Sequence, residues 1–243
     1  MSHRPRKRFF YQLGAIFTFC VTRHEVAGVN QARFSCYSWL SHQITGAMPH
    51  IAVDVNNVRI TTINLTSMRV MDVSVHGALD RALKAAADAM GGNYDEDGCG
   101  HLTWLMEHPL QPGDMVRVHL NQGDAKGDAG KTFKELFPDE PPSTQTDFSI
   151  SDTMAAEIRA RPRLHAAFEV QASTSAGQQA TATSREHNTD FRFSVLWNHV
   201  QPDQARVHLA TYCLDDVLAR MAGTTHLQTT IQAGESATFS LVA

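Results

Sequence analysis

The chain has 243 residues, a formal net charge of −4, 42% apolar and 19% charged residues. That composition belongs to a globular chain and excludes global disorder. No run approaches the roughly 18 uninterrupted apolar residues of a membrane-spanning helix, so no membrane span is expected.

Charge is divided unevenly. Residues 1–47 hold six Lys/Arg and one acid, Glu25, whereas residues 48–243 hold fifteen Lys/Arg and twenty-four Asp/Glu. An acidic body repels phosphate backbones, which argues against a nucleic-acid partner and for a basic protein partner. Cys20, Cys36, Cys99 and Cys213 form no CxxC. This spacing is neither a disulfide framework nor a zinc finger, and free thiols fit a reducing, cytoplasmic setting.

In chain order, "RPRKR" precedes the apolar run Phe9 to Val21. These are the first two parts of a secretion signal, but Gln12 interrupts the run and no small-x-small site follows. Residues 1–47 are therefore open to three readings: a disordered or non-native extension, a signal or anchor, or a packed element. If residues 1–21 act as a signal, the destination is secreted or periplasmic.

From Met48 the pattern changes. Ile51, Val53 and Val55 alternate with Ala52, Asp54 and Asn56, the period of a strand. Asn56-Asn57 is a turn signal, and Val58, Ile60 and Ile63 continue as a second strand. Met68 to Val75 suggests a third. Leu79, Leu83, Ala86 and Met90 then fall at helical spacing, with Gly91-Gly92 as a stop, so a helix is predicted. His101–His108 and Met115–Asn121 read as a hairpin across Pro109 to Gly113. Leu102, Trp104 and Met106 should face inward in its first strand, and Val116, Val118 and Leu120 in its second.

"KELFPDEPPS" predicts a short helical turn and a proline-rich loop, the best internal boundary. The expected organisation is an extension, 1–47, a β-rich domain with one helix, 48–142, and a second β-rich half, 143–243. Ser151 should cap a helix from Asp152 to Arg161. Ala167–Ser173 reads as a strand and "STSAGQQATATS" as a polar loop or weak edge. Phe191, Phe193, Val195 and Trp197 form one apolar face, answered by Val207, Leu209 and Thr211. Thr225–Ile231 and Ala237–Val242 should close a last hairpin. The fold class is therefore α+β, mainly antiparallel β, with one or two sandwich-like sheets and short helices.

"QPGDMVRVHL" and "QPDQARVHL" echo each other. Shared strand physics accounts for the likeness, and a duplication stays open.

Three motifs bear on chemistry. "AKGDAGKT", Ala125 to Thr132, fits a relaxed phosphate-loop pattern, in which Lys131 would reach phosphates and Thr132 a magnesium ion. "LATYCLDD", ending at Asp215, would supply the second acid, although "TFKELF" is short for a phosphate-binding helix. "NYDEDGCGH" gathers Asp95, Asp97, Cys99 and His101 beside Glu96. It starts like a calcium loop and then places Met106 where a glutamate is needed. Zinc is the cofactor these residues could hold if His76 or His119 joined them; otherwise no cofactor is expected. Cys99 and His101 also form a conceivable nucleophile pair on one strand face.

The stretch Gly91–Leu120, with its Cys-Gly-His-Leu-x-Trp strand and Leu-x-Pro-Gly-Asp turn, resembles a group of bacterial proteins of unknown function. The resemblance implies a bacterial source and a β-rich domain, and carries over no catalytic residue. The functional expectation is a non-catalytic binding protein with an acidic surface, of toxin-neutralising or secretion-accessory type. The alternatives are a metal-dependent enzyme at Cys99/His101 and a nucleotide binder at Ala125–Thr132.

Overall fold

The computed structural model describes residues 49–82, 84–93, 100–123, 125–140, 150–185 and 187–242. Alternation does what the sequence suggests at the start. Strand β1, His50–Val55, buries Ile51, Val53 and Val55. Asn56 and Asn57 both take positive φ, 52° and 63°, which closes a tight hairpin to β2, Val58–Asn64.

The helix predicted over Leu79–Met90 is not formed. Val70–Ala78 is β3 and Ala85–Asn93 is β4, paired antiparallel. Ala85, Ala87 and Ala89 point into the core. Alanine is the best intrinsic helix former, but that preference is worth under about 1 kcal/mol per residue, and here ladders on both sides of β4 outweigh it. Gly91 shows the closeness of the packing: a Cβ there would lie 2.4 Å from the Val70 carbonyl oxygen.

Strand β5, Gly100–Leu110, and strand β6, Met115–Asn121, do not pair with each other. The predicted hairpin is instead an arch between two sheets. Its turn is held by the β6 side: Asp114 accepts hydrogen bonds from the Gln111 amide and the Asn56 carboxamide, at 2.7 and 2.8 Å. The Gly113 amide donates to the Leu241 carbonyl.

After the short helix α1, Phe133–Leu136, the second segment opens with α2, Asp152–Arg159. The predicted cap is present, Ser151 Oγ accepting from the Met154 amide, and the helix ends two residues earlier than expected. β7, Glu169–Thr174, and β8, Gln179–Thr183, form a hairpin, so "STSAGQQATATS" supplies an edge strand. β9, Asp190–Asn198, and β10, Gln204–Tyr212, pair with their apolar faces together as expected, Val207 opposite Val195 and Leu209 opposite Phe193. Helix α3, Leu214–Leu218, precedes β11, Thr224–Gln232, and β12, Glu235–Leu241. These last two strands also part to different sheets: the Ala233 amide donates to the Asp203 carbonyl and the Gly234 amide to the Leu120 carbonyl.

The first sheet runs β2-β1-β6-β12-β7-β8 and the second β11-β10-β9-β3-β4-β5. This is the mainly antiparallel, sandwich-like architecture expected. Each sheet is shared between the segments on either side of residue 143: β2-β1-β6 stands beside β12-β7-β8 in the first, and β3-β4-β5 beside β9-β10-β11 in the second. β12 and β7 extend the ladder from β6, and β9 extends it from β3. One continuous core lies between the sheets. Phe239 from the first sheet meets Phe191 and Phe193 from the second at ring distances of 5.7 and 5.6 Å. Such aromatic contacts across the layer are worth more than their area alone.

Trp197 is fully buried, as expected, with its indole N–H donating to the Pro202 carbonyl. Trp104 is not. In β5 the buried residues are Thr103, Leu105 and Leu110, while Leu102, Trp104 and Met106 are half-buried. Two irregularities in the β4–β5 ladder put extra residues into β5 and break its simple alternation.

Both Arg-Val-His-Leu echoes point Val and Leu inward and Arg and His outward. They serve different jobs, however. One follows an arch between sheets and the other a hairpin within one sheet.

Candidate functional site

The phosphate-loop motif lies across one side of the sandwich as a strap. Asp128 joins β2: its amide donates to the Thr62 carbonyl, and its carboxylate accepts from the Thr62 amide and the Thr61 hydroxyl. Ala125 accepts from the Asn64 side chain. At the other end, Lys131 exchanges backbone hydrogen bonds with Thr103 of β5, and Trp104 donates to the Asp128 carbonyl. The glycines serve close packing, since a Cβ on Gly127 would lie 2.7 Å from the Asn64 nitrogen and one on Gly130 2.8 Å from the Trp104 ring. The Thr132 hydroxyl is engaged with Glu135 in a capping box on a four-residue helix. Asp215 is ion-paired to Arg159 at 2.6 Å, just beyond β10. Four strand spacings separate β10 from β5, about 19 Å at the usual spacing. Lys131 and Asp215 are therefore not brought together.

Of the predicted metal ligands, Asp95, Asp97 and Cys99 lie outside the described residues, as does Glu96. His101 is exposed in β5 opposite Gly92. His76 sits opposite Ala86, six residues along β4 from Gly92, and His119 is in the other sheet. Neither joins His101. Among the described residues, no three His, Cys, Asp or Glu side chains converge as a metal site.

The outward face of the second sheet carries a polar network that no sequence motif marks. Asp72, Ser74 and His76 alternate with Met71, Val73 and Val75 along β3, and that period-two pattern was its available signal. Arg192 donates to Asp72 at 2.6 Å and to Ser74 at 3.4 Å. His76 Nδ1 meets Asp88 at 3.1 Å, and the Glu107 amide donates to the same carboxylate at 2.7 Å. Asp72, Ser74 and Asp88 are buried although they face away from the core. Burial would raise the Asp88 carboxyl, but the hydrogen bond and charge of His76 and the Glu107 amide outweigh it, so it ionises below the ordinary range. Further along β9, burial pushes Asp190 up to about 6, even though Thr189 donates to it. Beside it, burial, with the Asp190 charge, raises Tyr212 to about 12. His208, across the ladder from Ser194, bonds Thr225 and is kept neutral to lower pH by burial and by Arg192.

Chemically, His76–Asp88 is an imidazole oriented by a carboxylate, one half of a general-base arrangement. Ser74 is bonded instead to Arg192, and His208 to Thr225, so neither histidine is seen activating a serine. A smaller counterpart lies on the first sheet, where Asp54 is shared by Arg59 and His119.

The outward face of the first sheet over β12, β7 and β8 differs in kind. Gln171, Ser173, Gln179, Thr181, Thr238 and Ser240 line a shallow depression of about 460 Å³. None carries a charge. The depression runs to the edge strand β8.

These features define a two-sheet antiparallel sandwich with polar outer faces. Set against known proteins, the chain matches no family model, no curated sequence and no solved structure. No helix among the described residues is long and apolar enough to cross a membrane.

Proposed function

We propose that this is a non-catalytic binding protein whose acidic surface engages a basic protein, in the manner of a toxin-neutralising or secretion-accessory factor. The observation that carries the reading is the way exposed carboxylates are anchored. Asp114, Asp128 and Glu135 each accept a hydrogen bond from a backbone amide, of Gln111, Thr62 and Thr132 respectively. Those bonds, with side-chain donors Asn56, Thr61 and Thr132, lower all three below the ordinary carboxylate range. Such charges stay ionised and are held in place, so a cationic partner meets a pre-organised surface at little ordering cost. Two of them, Asp128 and Glu135, belong to the strap and the helix after it.

The test is affinity capture of the full chain from its native host at about 50 mM and about 500 mM salt. A stoichiometric basic protein, retained at low salt and released at high salt, is expected. The triple variant Asp114→Asn, Asp128→Asn, Glu135→Gln keeps an acceptor oxygen at each position and should weaken capture about tenfold or more. Equal capture by the triple variant, or a chain that comes down alone at low salt, would remove the reading.

A further inference from the structure

A sheet edge is a row of unpaired amides and carbonyls, and proteins blunt such edges to prevent stray pairing. The four edges here are treated unequally. β2 carries an irregularity opposite Val53/Asp54 and is covered by Asp128 of the strap. β5 carries two irregularities and Pro109, and bonds Lys131. β11 is irregular at His226, whose ring bonds Thr211. β8 has none of these. Its ladder to β7 is unbroken from Gln179 to Thr183, it contains no proline and no charge, and no described strand pairs with its outer side.

The direction of its free backbone groups follows from the ladder. The Thr174 amide donates to the Gln178 carbonyl and the Ser184 amide to the Phe168 carbonyl. In an antiparallel pair, hydrogen-bonded positions alternate, so Ala180 and Ala182 bond toward β7. Gln179, Thr181 and Thr183 therefore turn their N–H and C=O groups outward.

From this geometry we propose that β8 is a homodimer interface, pairing antiparallel with β8 of a second copy about a two-fold axis at Thr181. The sequence Gln-Ala-Thr-Ala-Thr is self-complementary in that register. Thr181 meets Thr181 of the second copy, Ala180 meets Ala182, and Gln179 meets Thr183. Threonine pairs and hydroxyl–amide pairs are favourable cross-strand neighbours. Three outward positions on each strand make about six backbone hydrogen bonds.

Charge supports a second copy as the occupant. Two copies of an acidic chain repel, and a two-fold contact sets any charge near its axis against the same charge of the other copy. β8 and the adjacent edge β11 contain no Asp, Glu, Lys or Arg at all. The uncharged depression on the first sheet, lined in part by Gln179 and Thr181, would continue across the joined sheets. This inference is independent of the proposed basic partner.

The test is the solution mass of the full chain by light scattering, from about 1 to about 500 µM. The wild type should reach the dimer mass within that range. Thr181→Lys places like charges against each other and should be monomeric throughout, with an unchanged circular-dichroism spectrum. Thr181→Asp should behave likewise, and mixing the two variants should restore a dimer that contains one of each. Thr181→Pro removes an outward amide without touching the β7 ladder and should also be monomeric. A wild type monomeric at the highest concentration would overturn the proposal. So would a dimer that survives all three substitutions, or variants that fail to complement each other while remaining folded.

Discussion

At the scale of single residues, the two tryptophans separate two kinds of burial. Trp197 is enclosed between the sheets and its N–H is satisfied. Trp197→Ala should cost about 3–5 kcal/mol in chemical denaturation, since the cavity cannot collapse between two ladders. Trp104 lies over an irregular edge and is half-buried beneath Gly130. Trp104→Ala should cost less, about 1–3 kcal/mol. Asp190 makes a pH-dependent prediction. Burial raises its folded pKa to about 6. The folded state then holds a proton that the unfolded chain has released, so this group's penalty is absent below its unfolded value and complete above about 6. Asp190→Asn should raise stability by about 1–3 kcal/mol near pH 7.5 and change it little near pH 4. An equal effect at both pH values would mean that the carboxyl is not titrating in that window. Asp88 acts oppositely: its lowered pKa adds stability that is present at neutral pH and lost as pH falls through its folded value.

At the scale of elements, the strap works through its backbone. Gly127→Ala would drive a methyl group onto the Asn64 nitrogen at 2.7 Å and should destabilise the protein by about 1–3 kcal/mol. Lys131→Ala leaves its backbone bridge to Thr103 intact and should shift stability by no more than about 0.5 kcal/mol. Thermal denaturation of both variants checks the contrast. How far each element could be read from sequence follows from the same distinction between local and distant causes. β1, β9 and β10 were legible because apolar side chains alternate on a buried face, and β2 from its Asn56-Asn57 turn, although its irregularity leaves Val58 exposed. β4 was hidden because its inward residues are alanines, which alternate with little change in hydrophobicity. The two arches looked like hairpins because a turn's sequence does not state which sheet receives the next strand; Asp114 and Gly234 are tied to partners far along the chain. The polar network was half-legible: Asp72, Ser74 and His76 stand at period two, but the pairing that brings Arg192 and Asp88 to them is long-range. The "AKGDAGKT" motif misled in the other direction, because glycines needed for close packing spell the same letters as a phosphate cradle.

At the scale of the whole molecule, the two ladders that join the segments before and after the proline-rich loop, β6–β12 and β3–β9, complete both sheets. β6 is flanked by β1 and β12, and β9 by β10 and β3, so residues before 141 and after 149 complete each other's sheets. A division at the proline-rich loop would break one ladder in each sheet, β6–β12 and β3–β9, and open the core beside Phe191, Phe193 and Phe239. Most contacts that stabilise the sandwich are distant in sequence, which also predicts slow folding for its size. The most direct measurement is to express residues 48–142 and 143–243 as separate fragments and record their amide proton spectra alone and mixed. Neither fragment should show the dispersion of a folded sheet alone, and an equimolar mixture should recover the spectrum of the intact chain. A cooperatively folded 143–243 fragment, with its spectrum unchanged on adding the other, would contradict a sandwich whose two segments depend on each other.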